Sequence, residues 1–217
     1  MPLTPTEWSA LLLLATATSF TPGPNTTLST TLAANGGWRA AARFIAAVPV
    51  GWTLLLTLCT AGVGEALVRW PALRWAVTGL GLAYLLWLAL KLWRTPAQAL
   101  ASTAPARMRG GFVQGVALQF VNIKAWMLAL ALVGSFLGGH ADVWARWLQV
   151  APVMASFGLC SNTTYALIGL TLRRWLSGPV VQGVPTGQRL QRFNQAMGTV
   201  LAGTALWMAW SAVHAAA

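Results

Sequence analysis

The chain has 217 residues, of which 57% are hydrophobic and only 8% are charged. About a quarter of the residues in a soluble domain are charged, so this composition excludes an ordinary soluble domain and predicts an all-α integral membrane protein. The net charge of +11 would suggest nucleic acid as the partner of a soluble protein. In a membrane protein it is explained by basic cytoplasmic loops, so no nucleic-acid partner is expected.

Six apolar stretches have roughly the length that crosses a bilayer. In chain order they lie at about 8–34, 44–66, 72–93, 111–138, 147–172 and 193–213. A linker rich in Ala, Pro, Ser and Thr, at about 94–110, separates the third stretch from the fourth. The sequence therefore predicts one six-span domain over residues 1–217.

The first span is interrupted near its middle by Phe20, Thr21, Pro22, Gly23, Pro24 and Asn25. Two prolines that lack a backbone N–H, with a glycine between them, cannot continue an α-helix. Irregular backbone at membrane depth is tolerated only where it is buried in protein or lines a cavity. We therefore expect a site at this break, with Asn25 capping a half-helix that restarts at Thr26.

The fourth span carries Lys124 in its middle, with Asn122 two residues earlier. An ammonium at the bilayer centre is costly and usually marks a site or a polar partner. Gln119 and Asn122 could also be ordinary hydrogen-bonding residues between helices. Polar residues follow in span five, at Asn162, Thr163 and Tyr165. We interpret these three residues and Gln119 as candidates to line a pathway, beside the plain alternative of helix–helix hydrogen bonding.

Spans one and four thus both have a polar interruption at their midpoints, and each is followed by two cleaner spans. An odd number of spans per half requires the second half to be inverted relative to the first. This pattern predicts a 3+3 inverted repeat, with repeat one at about 8–93 and repeat two at about 111–213. In such proteins the site lies where the two broken helices meet.

Charge predicts the orientation. Ten of the fourteen basic residues fall on one side of the predicted spans, and three fall on the other side with all three acidic residues. Positive charge collects in the cytoplasm, so both termini are expected on the outer side of the membrane and the three long connections in the cytoplasm. Lys124 is the remaining basic residue and belongs to neither side.

At these residues the chain resembles the lysine export and homoserine/threonine resistance (LysE/RhtB) family of amino-acid exporters. The segment Thr21-Pro-Gly-Pro-Asn25 matches the family's first-span motif, and Asn122-Ile-Lys-Ala-Trp126 resembles its fourth-span motif Asn-Pro-Lys-Ala-Trp, with Ile123 in place of the proline. The resemblance covers nearly the whole chain. It implies an inner-membrane secondary transporter that exports amino acids, driven by the proton-motive force, with the coupling ion left open.

The expected substrate site consists of the motif residues Thr21, Pro22, Gly23, Pro24, Asn25, Asn122 and Lys124. A substrate carboxylate needs cationic or N–H partners, which Lys124 and the N-terminus of the second half-helix supply. The substrate ammonium needs oxygen acceptors, which the carbonyls near the break and the amides of Asn25 and Asn122 supply. With no carboxylate at mid-membrane to hold a second positive charge, neutral or small polar amino acids are favoured.

Two other functions are kept as alternatives. The first is a membrane thiol relay that uses Cys59 and Cys160, one in each half of the chain. The second is a membrane partner that transports nothing. No catalytic constellation, metal-ligand spacing or nucleotide-binding loop occurs in the sequence, so neither an enzyme nor a bound cofactor is expected. The expected partners are the amino acid and membrane lipid, and a homo-oligomer is left open.

Overall fold

The computed structural model describes residues 3–95, 111–178, 180–181 and 184–214. Most of the predicted linker lies outside the described residues, as do Arg107 and Arg109. The helices in chain order are α1 (Pro5–Phe20), α2 (Pro24–Gly36), α3 (Trp38–Leu58), α4 (Gly64–Arg69), α5 (Pro71–Trp93), α6 (Phe112–Val121), α7 (Ile123–Leu132), α8 (Val143–Leu176) and α9 (Gln188–His214). Two π-helical turns, Cys59–Val63 after α3 and Val133–Leu137 after α7, extend those helices.

The helical fold class is confirmed. Within the segment predicted as a loop between α8 and α9, the strands β1 (Val180–Val181) and β2 (Val184–Pro185) pair antiparallel. Val180 lies opposite Pro185, and Val181 lies opposite Val184. This short ladder does not alter the helical architecture.

Three helical segments in the described part of the chain are long and apolar enough to cross a membrane. They are Trp38–Ala66, Pro71–Trp93 and Val143–Leu176. The segments Phe112–Val121 and Ile123–Leu137 meet at a bend of 68°. They qualify as a fourth span if the two are counted together as one interrupted helix. The helices α1 and α2, with 16 and 13 residues, are each too short to qualify alone. The chain is therefore a multi-pass helical protein, and the first and sixth predicted spans do not meet this criterion.

The buried side chains form two main hydrophobic clusters, which we call the first and second clusters. The first cluster joins α1 and α7 to the end of α3 and the beginning of α8, around residues such as Leu11, Leu56, Ala129 and Val150. The second cluster joins α2 and α6 to the beginning of α3, to α5 and to α9, around residues such as Leu32, Ile45, Leu118 and Leu201. Each interrupted helix therefore contributes one half to each cluster, and both interruptions lie between the clusters.

Glycines let the half-helices approach their neighbours closely. A Cβ atom on Gly51 of α3 would lie 2.8 Å from the backbone of Val116 in α6. A Cβ atom on Gly169 of α8 would likewise meet the carbonyl oxygen of Thr30 in α2. Only a residue without a side chain permits these backbone contacts, so the two glycines fix α6 against α3 and α2 against α8.

Candidate functional site

The first interruption leaves Thr21, Pro22 and Gly23 between α1 and α2. Gly23 is the N-cap of α2, and Pro24 takes the first helical position, where its missing N–H is not needed. The Thr26 hydroxyl accepts a hydrogen bond from the Gly23 N–H at 2.9 Å and donates one to the Gly23 carbonyl at 3.0 Å. The expectation that Asn25 caps a helix beginning at Thr26 is therefore wrong, because the proline starts the helix earlier.

Asn25 instead pairs with Gln119 of α6 through two reciprocal amide hydrogen bonds. Asn25 Nδ2 donates to Gln119 Oε1 at 2.9 Å, and Gln119 Nε2 donates to Asn25 Oδ1 at 3.1 Å. Gln119 Nε2 also donates to the Gly115 carbonyl at 3.0 Å, and the Gln119 side chain is fully buried. The pair joins the first turn of α2 to α6, so it links the first interrupted helix to the second.

The last two carbonyls of α1, and the carbonyl of the residue that follows it, accept hydrogen bonds from side chains in the second half of the chain. Ser161 of α8 donates to the Ser19 carbonyl, and Tyr165 of α8 donates to the Phe20 carbonyl at 2.9 Å. Lys124 Nζ donates to the Thr21 carbonyl at 3.1 Å. These contacts satisfy groups that a helix end leaves unpaired, and they place the Lys124 ammonium between α1 and α2.

The second interruption is a single residue, Asn122. Its backbone is extended, with φ −89° and ψ 102°, and its side-chain oxygen accepts a hydrogen bond from the Lys124 N–H at 3.2 Å. Asn122 is thus the N-cap of α7, and the helix changes direction by 68° without a proline. Within the described residues, the Asn122 side chain makes this bond through its oxygen alone, which leaves its amide hydrogens available.

A cavity of about 80 Å³ lies between the two interruptions. Of the sequence-predicted site residues, it is lined by Thr21, Gly23, Pro24, Asn25, Asn122, Lys124 and Asn162. Pro22, Gln119, Thr163 and Tyr165 are not in the lining. Pro22 is exposed, Thr163 is half-buried, and Gln119 and Tyr165 contact the site through the hydrogen bonds described above.

Sequence reasoning missed a large part of the cavity wall. The additional residues are Thr18, Ser19, Val48, Pro49, Trp52, Ala125, Thr26, Leu128, Met154, Ala155 and Gly158. Most are apolar, so composition does not distinguish them from lipid-facing or core residues. Two prolines inside helices, Pro49 of α3 and Pro152 of α8, are a sequence signal that could have indicated this wall. Each lies at or beside the part of its helix that lines the cavity.

An ion pair lies at the opposite end of α1 from the break. Arg146 of α8 is 4% exposed and donates to both carboxylate oxygens of Glu7, with a shortest distance of 2.8 Å. Arg146 Nη1 also donates to the Phe136 carbonyl, in the π-helical turn after α7, at 2.9 Å. Arg146 therefore ties α1 and the end of α7 to α8. Hydrogen bonds from Thr4, reinforced by the Arg146 charge, hold the pKa of the Glu7 carboxyl below its usual range.

The two cysteines are free and lie in different surroundings. Cys59 is buried in the first cluster, whereas Cys160 is exposed on α8. Over the described residues, no group of three or more His, Cys, Asp and Glu residues is placed to hold a metal ion.

The sequence was compared with known proteins. A profile of the family described as "LysE type translocator" matches residues 16–187. The cysteine/O-acetylserine efflux protein of Escherichia coli strain K12 is 30% identical over 179 residues, covering 79% of this chain and 87% of that protein. The protein of the same name from Shigella sonnei matches to the same extent. No solved structure matches the chain. Because this profile matches most of the chain, the chain belongs to the LysE type translocator family.

Proposed function

We propose that this translocator exports small neutral amino acids from the cytoplasm and binds them in the cavity between the two helix interruptions. The observation that carries the proposal is the convergence of two interrupted helices on one cavity that contains a lysine ammonium and a helix N-terminus. Transporters with discontinuous helices bind substrates at such a place.

The substrate carboxylate binds at the N-terminus of α2. Within the described residues, the backbone N–H groups of Asn25 and Thr26 have no hydrogen-bond partner. A helix N-terminus carries partial positive charge, and free N–H groups there bind anions. A lysine ammonium has three donors, and Lys124 uses one on the Thr21 carbonyl, so two remain for a carboxylate. The Asn122 amide hydrogens add to this positive pole.

The substrate ammonium binds toward α1, where the backbone turns its carbonyl oxygens out of the helix. Ser19 and Thr21 both line the cavity, and a carbonyl oxygen with two lone pairs can accept a second hydrogen bond. Among the residues that the structure describes, no aspartate or glutamate lines the cavity, so there is no partner here for a second positive charge on a lysine or arginine substrate. An amino acid with an uncharged side chain needs no such partner, so the lining of the cavity favours a neutral substrate.

The cavity volume and the relatives support a small substrate. The cavity between the interruptions has a volume of about 80 Å³, which favours a compact amino acid. The efflux proteins of Escherichia coli and Shigella sonnei are named for cysteine and O-acetylserine. Both compounds are small neutral amino acids, which is the class that the cavity favours here.

The proposed architecture is a six-span 3+3 inverted repeat, with α1 and α2 forming span one and α6 and α7 forming span four. Helix packing supports this arrangement. Span one packs against α8, which is the fifth span, and span four packs against α3, which is the second span. An inverted repeat exchanges spans one and four and spans two and five, so it exchanges these two contacts. The pairs that the pseudo-two-fold axis would exchange, α3 with α8 and α5 with α9, are also in contact, which agrees with an axis passing between them.

The proposed location is a bacterial inner membrane with both termini in the periplasm. The support is the charge asymmetry, since Arg39, Arg43, Lys91, Arg173, Arg174, Arg189 and Arg192 lie at the ends of helices predicted to face the cytoplasm. Reporter fusions after Ala217 and after Ser102 should give periplasmic and cytoplasmic signals respectively. A cytoplasmic signal at Ala217 would contradict both the orientation and the inverted repeat.

Export is tested by feeding dipeptides to cells that lack or overproduce the protein and measuring free amino acids inside and outside. A substrate should accumulate inside without the protein and outside with it, and a protonophore should reduce the difference if the proton-motive force drives export. A Cys59→Ala/Cys160→Ala protein should export normally. Loss of export in that variant would favour the thiol relay, and an absence of transport by purified protein in liposomes would favour a non-transporting partner.

A further inference from the structure

One face of α8 forms a wall of the cavity, and a glycine lies in the middle of that wall. Met154, Ala155, Gly158 and Asn162 all line the cavity. At about 100° per residue these four positions fall within roughly 100° of the helix circumference, with Gly158 between Met154 and Asn162. The Cα–Cβ direction at residue 158 therefore points into the cavity.

The space in front of Gly158 is empty. Beyond the adjacent backbone of its own helix, a Cβ atom built on this glycine would have no heavy atom of the described residues within 4 Å. The other cavity glycine is different, because a Cβ atom on Gly23 would lie 3.5 Å from Lys124 Cδ and Nζ. Open space therefore lies in front of α8 at Gly158, whereas at Gly23 a Cβ atom would be in van der Waals contact with the Lys124 side chain.

The polar and apolar parts of the cavity wall face different parts of a bound amino acid. The carboxylate and ammonium partners belong to the α1–α2 interruption and to Asn122 and Lys124. Val48 and Trp52 of α3, Leu128 of α7 and Met154 of α8 form the apolar wall. A substrate held by its charged groups at the interruption must direct its side chain toward these residues and into the space at Gly158.

We infer that Gly158 sets the upper size limit for the substrate side chain. The inference rests on the proposed function and adds to it the residue that selects among neutral amino acids. Gly158 has no side chain of its own, so the substrate side chain takes the volume that a Cβ atom would occupy. One methylene in a hydrophobic pocket changes discrimination by about 10- to 200-fold, so even a methyl group at this position should have a measurable effect.

The experiment measures export of a panel of amino acids graded by side-chain size, from glycine through alanine, serine and cysteine to valine and leucine, each fed as a dipeptide. The variants are Gly158→Ala and Gly158→Val. The control is Gly203→Ala in α9, where a Cβ atom also has nothing within 4 Å but the residue does not line the cavity. Alanine favours a helix more than glycine does, so neither alanine variant should fail to fold.

We expect Gly158→Ala to reduce export of the largest parent substrate, relative to the smallest, by about tenfold or more. Gly158→Val should shift the limit further, and Gly203→Ala should leave the ratios unchanged. An equal reduction for all substrates, or none, would overturn the size limit while leaving the export function intact. A parent protein that exports no member of the panel would overturn the proposed function together with this inference.

A second measurement does not depend on transport rate. In the Cys59→Ala/Cys160→Ala background, Gly158→Cys places a thiol in the cavity and Gly203→Cys places one outside it. A saturating exported amino acid should slow alkylation of the thiol at position 158 at least severalfold and leave the thiol at position 203 unaffected. Equal alkylation rates at position 158 with and without substrate would overturn the inference.

Discussion

The two helix interruptions differ in how the chain makes them. The first spans Thr21, Pro22 and Gly23 and is produced by two prolines and a glycine that cannot continue a helix. The second is Asn122 alone, and it contains no proline. There the side-chain oxygen caps the next helix and the extended backbone changes its direction by 68°. A break in a membrane helix can therefore be made by a capping side chain as well as by proline.

The two interruptions also differ in what they present to the cavity. The first presents a helix N-terminus and carbonyl oxygens, which are backbone groups. The second presents the side chains of Asn122 and Lys124. Each therefore complements the other, because the Lys124 ammonium of the second interruption binds the Thr21 carbonyl of the first. Substitutions at each interruption should separate the two contributions.

The largest effect is expected at Lys124, which supplies the charge of the second interruption. Lys124→Met keeps the length of the side chain and deletes the ammonium, so export should be abolished. Lys124→Arg keeps the charge in a planar group that fits a tight site differently, and a weak remainder of export should persist. Because a desolvated ammonium is costly in a membrane, Lys124→Met should unfold in detergent at a temperature no lower than the parent. Full export by Lys124→Met would assign the site to the first interruption alone.

The second-largest effect is expected at the amide pair that joins the two interruptions. Asn25→Leu leaves the buried Gln119 amide without its partner, which should cost about 1–3 kcal/mol of stability and abolish export. Asn25→Leu/Gln119→Leu removes both partners, and replacement of both is much less costly than replacement of one. The double variant should therefore recover most of the thermal stability, but export should stay absent. Export by the double variant would mean that Asn25 is needed only to pair with Gln119 and does not itself bind the substrate.

A smaller effect is expected from the ion pair that ties both interrupted helices to α8. Because the pKa of Glu7 is lowered in the folded protein, its contribution to stability is present above the pKa of an unfolded glutamate, about 4.3. This contribution is lost as the pH falls through the lowered pKa. The melting temperature of the parent in detergent should therefore fall as the pH decreases below about 4. Glu7→Gln should melt lower at neutral pH and show a weaker fall with acid; an unchanged acid profile would contradict the prediction.

The sequence could predict the helical class, the first interruption, the position of Lys124 in the second, and the family. These features depend on local signals, namely apolar runs, a proline–glycine–proline motif and a lone charge. It could not predict that Gln119 pairs with Asn25, because that contact joins residues 94 positions apart in the chain. Gly158 was missed for a related reason: an empty space opposite a glycine exists only after the surrounding helices are packed. The first and sixth spans remain predictions, because α1 and α2 are individually short and α9 is not among the helices that meet the length and hydropathy criterion for a span.

The smallest effect is expected from Ile123→Pro, which gives the second interruption a proline and so makes it resemble the first. Ile123 occupies the first helical position of α7, where a missing N–H is not needed. Asn122 already has an extended backbone, with ψ 102°, and so lies outside the α region that proline disfavours in the residue before it. We therefore expect Ile123→Pro to fold and to export, with a stability change within about 1 kcal/mol, since a stiffer unfolded chain offsets the lost packing of a buried isoleucine. The matched control is Ala125→Pro, which removes the 2.9 Å hydrogen bond from the Ala125 N–H to the Asn122 carbonyl and should lower both melting temperature and export. If Ile123→Pro were as damaging as Ala125→Pro, the bend at Asn122 would not be a proline-compatible helix start, and the two interruptions would differ in geometry as well as in sequence.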